Sequence, residues 1–215
     1  MPNDITFLAV VAPLSLTLLS REPRGVVGAV AALSLLLSAS AACLLQSRVA
    51  MLTMVASITC AATLIHPRLG LACGLAILLL ALLLDGLLGF PLVAKFGRIW
   101  DSRIPLWLAA WAMFLDAPVL GHGPHTFVLL YRSYLDGLSL PTWLPVDTRV
   151  VSWAHNLYLE VLAERGVVGL TALGFLLARG FSAARHIQRA PPGDAHSFGA
   201  GALAGLGGLC LAAFV

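Results

Sequence analysis

Charge is the scarcest commodity in this chain. Only 11% of its 215 residues are Asp, Glu, Lys or Arg, against about 25% in an ordinary soluble domain. That poverty excludes a disordered chain, which needs low hydrophobicity and high net charge. The charges also nearly cancel: 13 Lys and Arg against 10 Asp and Glu leave +3, too mild a balance to make nucleic acid a partner. Cysteine is scarce too. Cys43, Cys60, Cys73 and Cys210 each lie inside an apolar run and none forms a CxxC pair. They read as small hydrophobes, with no disulfide framework and no structural zinc. Strand-like alternation is missing as well, and open strands cannot cross lipid.

Apolar residues are what remain. They make up 60% of the chain, and the mean hydropathy is +0.94. The solvent of such a protein is lipid. Four long apolar runs occupy residues 5–19, 26–45, 49–65 and 69–84, the last continuing toward 91. Short breaks separate them: Arg21-Glu22-Pro23-Arg24, Gln46-Ser47-Arg48 and His66-Pro67-Arg68. Asp4 and the lack of a basic cluster or cleavage site argue that the first run stays as a helix. Residues 95–154 are too polar to span and too apolar to be a linker. Within them, 103–115 carries Trp107 and Trp111 one turn apart and suits a short interfacial or re-entrant helix. A helix over 156–181, a polar loop over 179–196 and a Gly- and Ala-rich run over 198–215 follow.

The expected fold is therefore all-α, a polytopic transmembrane bundle of about six spans. Residues 1–91 form four N-terminal helices, 92–154 one long loop with amphipathic or re-entrant helices, and 155–215 two C-terminal helices. The last run stops at Phe214-Val215 with no polar flank, which reads as a chain cut short. Basic residues set the orientation. Arg21, Arg24, Arg68, Arg179, Arg185 and Arg189 fall on one side. Arg48, Lys95, Arg98, Arg103, Arg132, Arg149 and Arg165 fall on the other, mostly in the long loop. Long loops cross regardless of charge, so the short, basic loops face the cytoplasm and the long loop faces outward.

Arg48, Arg103, the turn Gly121-His122-Gly123-Pro124-His125 and His155 meet on that outer side. A single arginine at an interface usually snorkels. Several around one histidine point to an anion, because guanidinium forks match phosphate oxygens. A helix drawn from His155 at about 100° per residue puts Leu159, Leu162, Gly166 and Gly169 on its face, and Glu160 and Glu164 opposite. The glycines would then let a neighbouring helix press close. A histidine held there can serve as general base or as phosphate ligand. Glu160 and Glu164, beside Arg165, read as a solvated or interfacial face. His122 and His125 have HxxH spacing but no carboxylate or Cys nearby to complete a metal site.

These residues resemble a family. His155-Asn156, nine residues, then Gly166-Val167-Val168-Gly169 resembles the H-(N/S/Q)-x9-G-x-x-G signature of O-antigen ligases and their relatives. Arg103-x-x-x-Trp107, Asp116-Ala117-Pro118-Val119-Leu120-Gly121-His122-Gly123-Pro124 and Phe127 resemble that family's R-x3-W…D-x-P-x-x-G-x-G-P…F block. Ser47-Arg48-Val49-Ala50 resembles its "SRGA" helix start. The likeness covers roughly residues 46–181. It departs at His125, where the family often has Gly, and family members carry more spans than are counted here.

The resemblance implies a multi-pass glycosyltransferase of GT-C type in the bacterial inner membrane, with its site facing the periplasm. It implies a donor glycan on undecaprenyl diphosphate, a lipid A–core or other glycan acceptor, inversion at the sugar, and neither metal nor cofactor. His155 would activate the acceptor hydroxyl, and Arg48 and Arg103 would hold the diphosphate. Asn156, Trp107, Gly121, Gly123, Gly166 and Gly169 would support them. O-antigen or exopolysaccharide polymerases and O-linked protein oligosaccharyltransferases share these motifs. A transporter or non-catalytic membrane protein is the reading from another class; it would need inverted repeats or broken midplane helices, and no repeat is evident.

Overall fold

A computed structural model describes residues 8–44, 48–88, 103–146, 149–191 and 193–214. Gln46 and Ser47, and Lys95 and Arg98 of the long loop, lie outside the described residues. Among the described residues there are eight helices and no strand. They are α1 (Leu8–Arg21), α2 (Val26–Leu44), α3 (Arg48–Ile65), α4 (Pro67–Leu88), α5 (Ile104–Asp116), α6 (Phe127–Asp136), α7 (Leu157–Gln188) and α8 (Asp194–Phe214). The fold is all-helical, as the missing alternation requires.

Two stretches are long and apolar enough to cross a bilayer, Leu157–Gln188 and Asp194–Ala213. The other apolar stretches, among them Val26–Ser38, Leu52–Ile65 and Pro67–Ile77, are shorter. Among the described residues only the first two stretches meet both the length and the composition that a span requires, so six spans are not established. The polar loop expected from residue 179 is helical as far as Gln188. Arg and Gln are good helix formers, and the first prolines after it are Pro191 and Pro192.

The chain divides into two compact units, Met1–Ala81 with Leu177–Ala212, and Leu82–Leu176 with Ala213–Val215. The interior of the first is made of small residues. Ala9, Ala12, Ser15 and Thr17 of α1 are buried, as are Thr53, Ser57 and Ala61 of α3, and Ser197, Ala200 and Ala204 of α8. Gly201, Gly205 and Gly208 bring α8 against Thr17, Val10 and Ser57. Ser15 Oγ donates to Ser34 Oγ across α1 and α2 at 3.0 Å. Arg21 ties the end of α1 to Ser197 Oγ (2.6 Å) and to the Gly193 carbonyl (2.9 Å). The large side chains point away: Val30 is 60% exposed, Leu36 67% and Leu71 65%. Small residues inside and aliphatics outside are what helix packing in lipid requires, and in water such a surface would be an aggregation liability.

The second unit has a conventional core. Leu106, Ala109, Ala110 and Met113 of α5 pack with Phe127, Tyr131 and Leu135 of α6, and with Ala154 and Ala163. The α6 residues recur at i, i+4 and i+8, which places them on one helix face, while Arg132, Ser133 and Asp136 are exposed. Phe127 and Tyr131 stack with ring centroids 5.2 Å apart.

Candidate functional site

The glycines of the two motif blocks build one joint. α7 is interrupted at Gly166, whose φ of 61° and ψ of −162° are not helical and belong to a region essentially reserved for glycine. A break of this kind orphans carbonyls before it and N–H groups after it. The loop after α5 satisfies them. Val167 N–H donates to the Pro118 carbonyl (2.9 Å) and Val168 N–H to that of Val119 (3.3 Å). His122 N–H donates to the Ala163 carbonyl (3.1 Å) and Gly123 N–H to that of Glu164 (2.8 Å). A Cβ on Gly166 would overlap the Val119 carbonyl, and one on Gly121 the Glu164–Arg165 peptide. What approaches Gly166 is thus a loop backbone, where a helix was expected. Gly169 stands against the Arg165 side chain of its own helix.

The two glutamates on α7 differ from the expected solvated face. Glu164 is buried at 4% exposure, and its Oε1 accepts the Phe127 N–H at 3.1 Å, a carboxylate at a helix N-terminus. Arg165 Nη1 stands 3.8 Å from its Oε2. Glu160 Oε2 accepts the Ala154 N–H at 3.0 Å. Both carboxylates serve backbone donors of other segments, which the spacing along α7 does not reveal.

His155 stands just before α7, not on it. Its φ is 53°, in the left-handed region, where non-glycine residues are uncommon. Asn156, itself buried, caps the helix: its Oδ1 accepts the N–H groups of Tyr158 and Leu159, both at 3.1 Å. The chain leading in is pinned by Tyr131, whose hydroxyl accepts the Val151 N–H (3.0 Å) and donates to the Arg149 carbonyl (3.2 Å). Tyr131 was missed in the sequence; its signal was the Phe127, Tyr131, Leu135 stripe.

Arg103 is the residue before α5, with Pro105 in the first turn. Its carbonyl accepts the Trp107 N–H at 3.0 Å. Its Nη1 is buried without a hydrogen-bond partner among the described residues. Burial lowers its pKa, yet a guanidinium keeps its charge. Arg103 also acts on His155. Burial first, and then the charge of Arg103, lower the His155 pKa below the ordinary 6.5, so the imidazole is neutral at neutral pH. Arg48 opens α3 in the other unit.

The HxxH histidines go separate ways. His122 Nε2–H donates to the Met113 carbonyl at 3.0 Å, and its ring lies beside Tyr134, centroids 5.6 Å apart. The Tyr134 hydroxyl donates to Asp116, a bond that raises the tyrosine pKa. His125 is exposed, with a left-handed φ of 61°.

The family model described as O-Antigen ligase (Wzy_C) matches residues 33–174, more than half of the chain. This chain belongs to the O-antigen ligase family. No curated protein and no solved structure matches it. The matched span includes Arg48, Arg103, the joint and His155. Membership in the O-antigen ligase family makes the chain a membrane protein of the ligase and polymerase type, glycosyltransferase-like, with lipid-linked glycans as its substrate class.

Proposed function

We propose that this chain transfers a glycan from undecaprenyl diphosphate to a sugar hydroxyl of a lipid A–core acceptor, at the periplasmic face of a bacterial inner membrane. One observation carries the reading. A buried guanidinium nitrogen of Arg103 has no protein acceptor among the described residues, and its charge is felt by a histidine kept neutral. Buried donors normally find partners. An anionic oxygen of a diphosphate would supply this one.

In the proposed reaction neutral His155 takes the proton of the acceptor hydroxyl as that oxygen bonds to the anomeric carbon from the face opposite the diphosphate. The anomeric C–O bond breaks, and undecaprenyl diphosphate leaves with the electron pair. Arg103 offsets the growing charge on the leaving group. His155 then returns its proton to water. A docked diphosphate would also counter the Arg103 charge and raise the basicity of His155 at the moment of use. Arg48 joins as a second diphosphate ligand on the strength of the motif alone. The roughly six spans, the outward loop over 92–154 and the inner-membrane location belong to the same proposal, and two guanidinium groups make a metal or cofactor unnecessary to it.

Replacing His155 or Arg103 by Ala is expected to lower transfer by at least about 100-fold while the protein still inserts. Full transfer by both variants would remove the assignment. Surface-glycan analysis separates the ligase from the polymerase that the same family accommodates: loss of a ligase leaves lipid-linked polymer, and loss of a polymerase leaves single repeats. A tag between α6 and α7 that turned up in the cytosol would reverse the orientation.

A further inference from the structure

His155 occupies a backbone conformation that costs about 1–3 kcal/mol for a residue with a side chain. Such a conformation persists only where its surroundings over-determine it. Here the surroundings are two side-chain anchors, one on each flank. On the C-terminal side Asn156 caps α7 through the Tyr158 and Leu159 N–H groups. On the N-terminal side the Ala154 N–H is held by Glu160 Oε2 at 3.0 Å. Ala154 itself is fully buried in the core of its unit, so that N–H has no water to turn to. Glu160 therefore closes a loop from the first turn of α7 back to the residue before the histidine. The contact through which Glu160 bears on the histidine is thus a backbone one, at the residue before it.

We propose that Glu160 is a positioning residue: its carboxylate, by holding the Ala154 N–H, locks His155 in the left-handed turn that fixes where the imidazole is presented. This rests on the reading of His155 as the base. Removing the anchor frees the turn to relax to an ordinary φ, which swings the imidazole away without touching the diphosphate ligand. The rate of the chemical step should then suffer and donor binding should not.

The experiment uses the full chain in lipid vesicles with an undecaprenyl diphosphate-linked glycan and a lipid A–core acceptor. Glu160→Ala should lower kcat by about 10–100-fold, the scale of a misplaced catalytic group, with the KM for the donor unchanged. Glu160→Gln, whose amide oxygen can still accept the Ala154 N–H, should keep at least about half of the wild-type kcat. Wild-type kcat in Glu160→Ala, alongside an inactive His155→Ala, overturns this inference and leaves the proposed function standing. A Gln variant that inserts but is as slow as the Ala variant also overturns it, because the hydrogen bond is then not what matters; if Glu160→Ala fails to insert, a Gln variant reduced about tenfold or more in kcat overturns it by the same logic. Full activity in His155→Ala removes the proposed function and this inference together.

Discussion

The two compact units solve the same packing problem with opposite materials. Around α1, α3 and α8 the buried residues are Ala, Ser, Thr and Gly, and the aliphatics face out. Around α5 and α6 large residues are buried as well: Leu106, Met113, Phe127, Tyr131 and Leu135 lie among Ala109, Ala110, Ala154 and Ala163. In lipid there is no hydrophobic gain from hiding a leucine, so helices associate by close backbone approach and van der Waals contact. The second unit buries apolar area in the way water rewards.

The contrast predicts different sensitivities. The largest effect is expected from Phe127→Ala, which empties a fully buried site and should cost about 3–5 kcal/mol. Thermal unfolding in detergent should show it, with transfer lost as the α6 anchor on Tyr131 loosens. Next comes Gly166→Ala. Strain at its backbone angles costs about 1–3 kcal/mol, and its overlap with the Val119 carbonyl would break the joint; proteolysis within 117–123 should rise. In the first unit Gly205→Leu should cost about 1–3 kcal/mol by overpacking against Val10. Ser57→Ala, which removes a bond to the Met54 carbonyl at 3.0 Å, should cost only about 0.6 kcal/mol. If Ser57→Ala proved as damaging as Phe127→Ala, the contrast between the units would be wrong.

The smallest effect is that of acid on the His155 turn. Its folded pKa lies below the ordinary 6.5, so the unfolded chain binds more protons there as pH falls. Stability from this group is complete above about pH 6.5 and is lost on acidification through the lowered value. If His155 is the proposed base, transfer should fall over the same range as it becomes protonated, and His155→Gln should remove the dependence of stability while transfer stays low.

The contributing residues show how much could be read in advance. His155, Arg103, Trp107 and the paired glycines were visible because polar, aromatic and flexible residues stand out in an apolar chain. Glu160 and Glu164 were visible too, yet their work was not. A helical projection assigns a residue to a face, and a carboxylate bound to the N–H of a distant segment leaves no periodic trace. The projection also assumed a continuous helix from His155 through Gly169, whereas the helix begins at Leu157 and breaks at Gly166.

Composition alone determined that this protein is helical and suited to lipid, since a chain so poor in charge must satisfy its backbone polar groups internally. The motif spacing alone pointed to the family. Only the tertiary structure decided that the two glycine motifs are halves of one joint, that Glu164 is buried, and that His155 sits in a left-handed turn anchored on both flanks. The physical reason is that these features are backbone hydrogen bonds and electrostatic contacts between segments remote in sequence, and local pattern carries no information about which donor a distant acceptor will meet.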